Sequence, residues 1–71
     1  MNFSAHALQR MQQRGISADW VYWALLYGAR AQQAHGNWFV AAQYVDIGGN
    51  WRTLTVITDP TYTVVVSTWW N

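Results

Sequence analysis

The sequence contains no cysteine, no lysine, no glutamate and only one proline. Without cysteine the chain has neither disulfides nor thiolate metal sites, the common reinforcements of a fold this small. Two histidines are too few for a metal cage, so neither a metal nor another cofactor is expected. No apolar run reaches the roughly 18 residues of a membrane span, and the N-terminus lacks the basic-then-apolar pattern of an export signal. The expectation is a soluble, cytoplasmic protein that engages no membrane, and the lack of cysteine agrees with a reducing compartment. With lysine and glutamate missing, all side-chain charge rests on four arginines and three aspartates, and the formal net charge is +1. So small an excess does not support bulk attraction to nucleic acid, and any contact with phosphate has to be local.

What fills the space is aromatic. Six tryptophans, four tyrosines and two phenylalanines occur in 71 residues, and each can bury a large area. A chain this short has room for one core, so residues 1–71 are expected to form a single domain. Low charge works against solubility, which points to a surface covered in the functional state, by a second copy of the chain or by another protein.

Ser4 is placed to cap a helix over Ala5–Gln13 that Gly15 ends. Leu8 and Met11 give it an apolar side, and Ile16 is set to pack back on its last turn. Ser17 caps a second helix over Ala18–Tyr27, in which Val21, Ala24, Leu25 and Gly28 follow helical spacing, Asp19 lies near the positive end of the dipole and Gly28 is the stop. Trp20, Tyr22, Trp23, Leu26 and Tyr27 leave this helix hardly any polar face, so it is either covered on two sides or an interface. Beyond Gly28 the period changes to two, with turn signals at Gly36-Asn37, Gly48-Gly49-Asn50 and Asp59-Pro60. Strands are expected near Ala29–His35, Trp38–Ile47, Trp51–Thr58 and Tyr62–Trp70. The consecutive valines 64 to 66 read as a strand that is central or covered on both faces. The fold class is α+β, two N-terminal helices followed by a three- to four-stranded antiparallel sheet.

Within the first helix, spacings of four put His6, Arg10 and Arg14 on one stripe, successive members roughly 40° apart around the axis. The stripe combines a group that transfers protons near neutral pH with two guanidinium forks suited to phosphate oxygens. Metal-free RNA cleavage needs those parts: a base for the 2′-hydroxyl, an acid for the leaving oxygen, and cations for the charge that builds on phosphorus. A solvated helix face explains the same spacing.

The run Phe3-Ser4-Ala5-His6-Ala7, with Arg10, Met11, Arg14, Gly15 and Ile16 behind it, resembles the opening signature of a bacterial family, the domain of unknown function 4258. The likeness continues through Val21, Ala24 and Gly28 to the valine-rich last strand, Tyr62 to Trp69, and so covers nearly the whole chain. Such domains are grouped with small toxin-like ribonucleases of the RelE and ParE type. The resemblance therefore implies the architecture of those toxins and a metal-independent endoribonuclease, or a relative that poisons another target, belonging to a toxin–antitoxin pair with RNA as substrate and an antitoxin as partner. It carries over His6, Arg10 and Arg14 as catalytic residues and the hydroxyl region Ser67-Thr68 as a substrate contact. Family members usually contain several Lys and Glu, where this chain has Gln, Ala or aromatics. That departure argues against ribosome binding and leaves base stacking on aromatics, with Trp38, Trp51, Trp69 and Trp70 as candidates, as the compensating contact.

Arg52, on the third expected strand, is a further candidate for phosphate, or else a partner for an Asp. His35, beside the Gly36-Asn37 turn, is a reserve acid. Asp19, Asp46 and Asp59 have local explanations at a helix start and at turns, and Tyr44 and Tyr62 are expected to pack with hydrogen-bonded tips. Beside the ribonuclease stands a reading of a different kind: a non-catalytic binding module or inhibitor whose aromatic helix and strand tryptophans form a partner or homo-oligomer surface.

Overall fold

In the computed structural model, which describes residues 1–71, both helix starts follow from serine hydroxyls. Ser4 Oγ accepts from Ala7 N at 3.0 Å and opens α1, Ala5–Arg14. Gly15 ends it in the left-handed conformation, φ 63°, and the following Ile16 N–H donates back to Met11 O at 2.9 Å. Ser17 Oγ accepts from Trp20 N at 3.3 Å and opens α2, Ala18–Tyr27. Gly28 stops α2 for a different reason. Its φ of −72° suits any residue, but a Cβ there would lie 2.5 Å from Ala24 O and 2.9 Å from Ala41 O. The glycine lets the end of the helix rest directly on the sheet.

Five strands form one sheet: β1 Asn2–Phe3, β2 Ala29–Gln32, β3 Trp38–Val45, β4 Trp51–Thr58 and β5 Val64–Trp70, in the order β1-β5-β4-β3-β2. The expectation of an antiparallel sheet of three or four strands is corrected by β1, which runs parallel to β5 with Asn2 opposite Val64 and Phe3 opposite Val65. Two residues are too few to show an alternation. The remaining pairs are antiparallel, and β2 stops at Gln32, three residues short of His35.

The three valines have their own explanation. Ser67 pairs with Ile57 and Val65 with Thr58, so Val66 is the extra residue of a bulge. The bulge breaks the period of two, and only Val65 is fully buried.

The core forms between the helices and one face of the sheet. It unites Ala7, Met11 and Ile16 with Val21, Ala24 and Leu25, and with Val40, Ala42, Leu54, Val56 and Val65. In α1 the buried pair is Ala7 and Met11, four apart, and Leu8 is exposed. Strand alternation sends Phe39, Ala41, Thr53, Ile57, Ser67 and Trp69 to the opposite face, over which no element of the chain passes. No helix is long and apolar enough to cross a membrane.

Two tyrosines tie α2 to the sheet. Tyr44 Oη donates to Trp20 O at 2.6 Å in its first turn, and Tyr62 Oη donates to Leu25 O at 2.7 Å in its last. Tyr62 reaches Leu25 from a left-handed backbone, φ 62°, that costs an aromatic residue about 1 kcal/mol or more. Asp59 holds that turn: its carboxylate accepts from Thr61 Oγ1 at 2.6 Å, Thr63 N at 2.8 Å and Val64 N at 2.9 Å. These bonds, Thr61's foremost, lower its pKa to about 2.

The two helix-ending glycines make an ordered prediction. Gly15 has open space around it and only its positive φ to lose, so Gly15→Ala should cost about 1 kcal/mol. Gly28→Ala drives a methyl into two carbonyl oxygens and should cost about 3 kcal/mol. Urea unfolding of both variants checks the order, which reverses if Gly28 serves only as a flexible link.

Candidate functional site

The α1 stripe lies along the edge of β5. Over the 64–65 segment that edge is paired by β1; Ser4 Oγ then donates to Val66 O at 3.0 Å, and Arg14 Nη1 donates to Thr68 O at 3.2 Å. Arg14 thus closes a strand edge that β1 is too short to cover, which keeps the carbonyl from templating another strand. Arg10, one turn earlier, donates from Nη1 to Gln13 Oε1 at 3.0 Å. His6 is exposed in the first turn. From His6 to Arg14 the strip runs about 12 Å.

Both arginines bond to neutral acceptors. The aspartates are engaged elsewhere: Asp46 Oδ1 accepts from Asn50 N at 2.8 Å in the β3–β4 turn, Asp59 organises the β4–β5 turn, and Asp19 is exposed at the start of α2. Neither arginine of the strip is therefore neutralised by a carboxylate.

The other residues expected to meet substrate do not gather at the strip. Thr68 is corrected from a substrate contact to an interior residue, since it is fully buried and its Oγ1 donates to Thr55 O at 2.8 Å. Trp38 is half-buried on β3, its Nε1 donating to Pro60 O at 3.1 Å and its ring set edge-on to Tyr62. Arg30 lies over both rings, 5.4 Å from the Trp38 centroid and 4.9 Å from that of Tyr62. Arg52 pairs with neither an Asp nor the strip; its guanidinium carbon sits 4.5 Å over the Trp70 ring, at the opposite end of β4 from the Trp38 cluster. His35 is exposed on the β2–β3 hairpin, away from α1. Tyr44 and Tyr62 have the hydrogen-bonded tips expected of them.

The sequence reading missed a constellation around Arg52. Trp20, Tyr44 and Trp70 pack together with centroids 5.4 to 6.0 Å apart, two of the three contacts edge-on. With Arg52 and the Asp46–Gly48 segment they line a cavity of about 420 Å³. Burial here pushes the Tyr44 phenol above its ordinary value. The pairing of Tyr44 with Arg52 follows from a hairpin centred on Gly48 and was open to inference. The diagonal from Arg52 to Trp70 needed the β5 register, which the bulge conceals.

The strip and the cavity both lie within a stretch that matches one family. The model of the family described as a domain of unknown function (DUF4258) matches residues 3–70, and the chain belongs to that family. No curated protein and no solved structure matches the chain.

The two arginines of the strip differ in what they do for the fold. Arg14→Ala uncovers the Thr68 carbonyl and should lower stability by about 1 kcal/mol. Arg10→Ala removes an exposed bond within one helix and should cost less than about 0.5 kcal/mol. Thermal unfolding of the two variants side by side measures the difference, and equal losses would remove the edge-closing role.

Proposed function

We propose that the chain is a toxin-like domain of the RelE and ParE type that acts on RNA through His6, Arg10 and Arg14. The observation that carries this reading is the uncompensated charge of the strip: each arginine bonds to a neutral oxygen, leaving its remaining donors for phosphate. The layout of two N-terminal helices on one face of a largely antiparallel sheet agrees with that type. In the proposed chemistry Arg10 and Arg14 hold a phosphodiester and His6 takes the proton of the adjacent 2′-hydroxyl. The oxygen attacks phosphorus, the P–O5′ bond breaks to leave a cyclic phosphate, and the departing 5′-oxygen is protonated from the water that reaches this open face. Expression of the wild-type chain should arrest growth with loss of RNA, and His6→Ala, at equal folded yield, should restore growth. Harmless wild type, or equal toxicity of both, ends the ribonuclease reading.

A second observation favours a binding role. The outer face of α2 leaves Trp23, Leu26 and Tyr27 exposed at 53, 74 and 69%, with the Trp23 and Tyr27 rings in tilted contact, centroids 4.5 Å apart. Asp19 is the helix's one charged residue, so two copies of this face meet without a row of like charges. We read it as a homodimer surface, with an antitoxin or other protein as the competing occupant. Wild type should sediment as a dimer at tens of micromolar, and Trp23→Ala as a monomer with unchanged circular dichroism. A monomeric wild type rejects the dimer and leaves the face to another protein.

A further inference from the structure

The cavity around Arg52 has the shape and chemistry of a small-molecule site. Its volume of about 420 Å³ falls in the range of small-ligand pockets, roughly 300 to 1,000 Å³. Trp20, Tyr44 and Trp70 form its wall, and the bond from Tyr44 Oη to Trp20 O fixes the ring of Tyr44. Val45 at the end of β3 and Asp46, Ile47 and Gly48 of the β3–β4 turn form the lip, and Ile47 is fully exposed on it.

Two charged groups reach this space, and they are not equivalent. The Asp46 carboxylate is directed into its own turn, accepting from Asn50 N. Arg52 is exposed, with its guanidinium carbon 4.5 Å over the Trp70 ring and no carboxylate paired to it. A guanidinium over an indole face spends none of its N–H donors on a carboxylate, so they remain for a ligand. The site therefore offers apolar and aromatic walls beside one oriented cationic fork. A bound cation would meet that fork as a like charge, so this is not an aromatic cage for ammonium groups.

We propose that this cavity binds a planar aromatic ring carrying an anionic group, the ring against Trp20, Tyr44 and Trp70 and the anion on Arg52. Two sources supply that chemistry, a nucleotide and an aromatic carboxylic acid. None of His6, Arg10 and Arg14 lines this cavity, although Arg14, at the end of the strip, bonds to Thr68 O two residues and about 7 Å along β5 from Trp70. Binding here stands or falls independently of the His6→Ala growth result.

The test uses the full chain with two pairs of probes, adenosine monophosphate against adenosine and indole-3-acetate against 3-methylindole. Calorimetry gives affinity, and the indole N–H resonances of Trp20 and Trp70 report location. At least one anion should bind about tenfold tighter than its neutral counterpart and shift both resonances. Arg52→Gln should weaken that anion about tenfold, whereas Arg30→Gln, which changes the other stacked arginine, should leave it unaltered. Arg52 is exposed, so its replacement should fold, and circular dichroism checks that it does. Preference for adenosine monophosphate assigns a nucleotide; preference for indole-3-acetate assigns an aromatic acid. The proposal is overturned if neither anion shifts the two indoles at millimolar concentration, if charged and neutral probes bind alike, or if Arg30→Gln weakens binding as much as Arg52→Gln.

Discussion

Strand β5 has to be satisfied along both edges, and the chain has only two residues of strand to place on one of them. Beyond Val65 the free carbonyls are taken by side chains instead, Val66 by Ser4 and Thr68 by Arg14. Those two bonds lie at opposite ends of α1, so meeting the edge also sets the direction of the helix. The line of His6, Arg10 and Arg14 beside the sheet is a consequence of that alignment. Ser4 acts twice, capping the helix and closing the edge, which couples the start of α1 to the middle of β5.

Scarcity of carboxylate shapes the rest of the surface. With three aspartates engaged in turns or a helix start, the arginines settle against neutral groups: Arg10 and Arg14 on an amide and a carbonyl, Arg30 and Arg52 on aromatic rings. A guanidinium stacked on a ring retains its full charge and its in-plane donors, unlike one in an ion pair. The domain thus carries accessible positive charge at several places despite a net charge near zero.

The parts of the fold legible in the sequence are those set by local chemistry. Both serine caps, the glycine ends of both helices, the span of α2 and the three hairpin turns depend on residues within four of one another, and the sequence displays them. The bulge at Val66 is invisible because three valines in a row fit a two-sided strand equally well. β1 is too short to alternate, and its role depends on β5, about sixty residues away. The strip of α1 was legible because helical spacing alone defines it. Thr68 was misread because nothing local reveals that its hydroxyl turns toward Thr55, and the setting of Arg52 depends on the register of two strands against each other and on α2 above them.

The two tyrosine hydroxyls that hold α2 act at its two ends, on Trp20 from β3 and on Leu25 from the β4–β5 turn. A helix gripped at one point can roll about its axis; one gripped at both ends on the same side cannot. The exposed rings of Trp23 and Tyr27 therefore have a fixed bearing relative to the sheet before anything touches them. A surface already immobile loses little conformational entropy on association, so a modest apolar area on this helix can sustain a specific contact that the same rings on a loose helix could not.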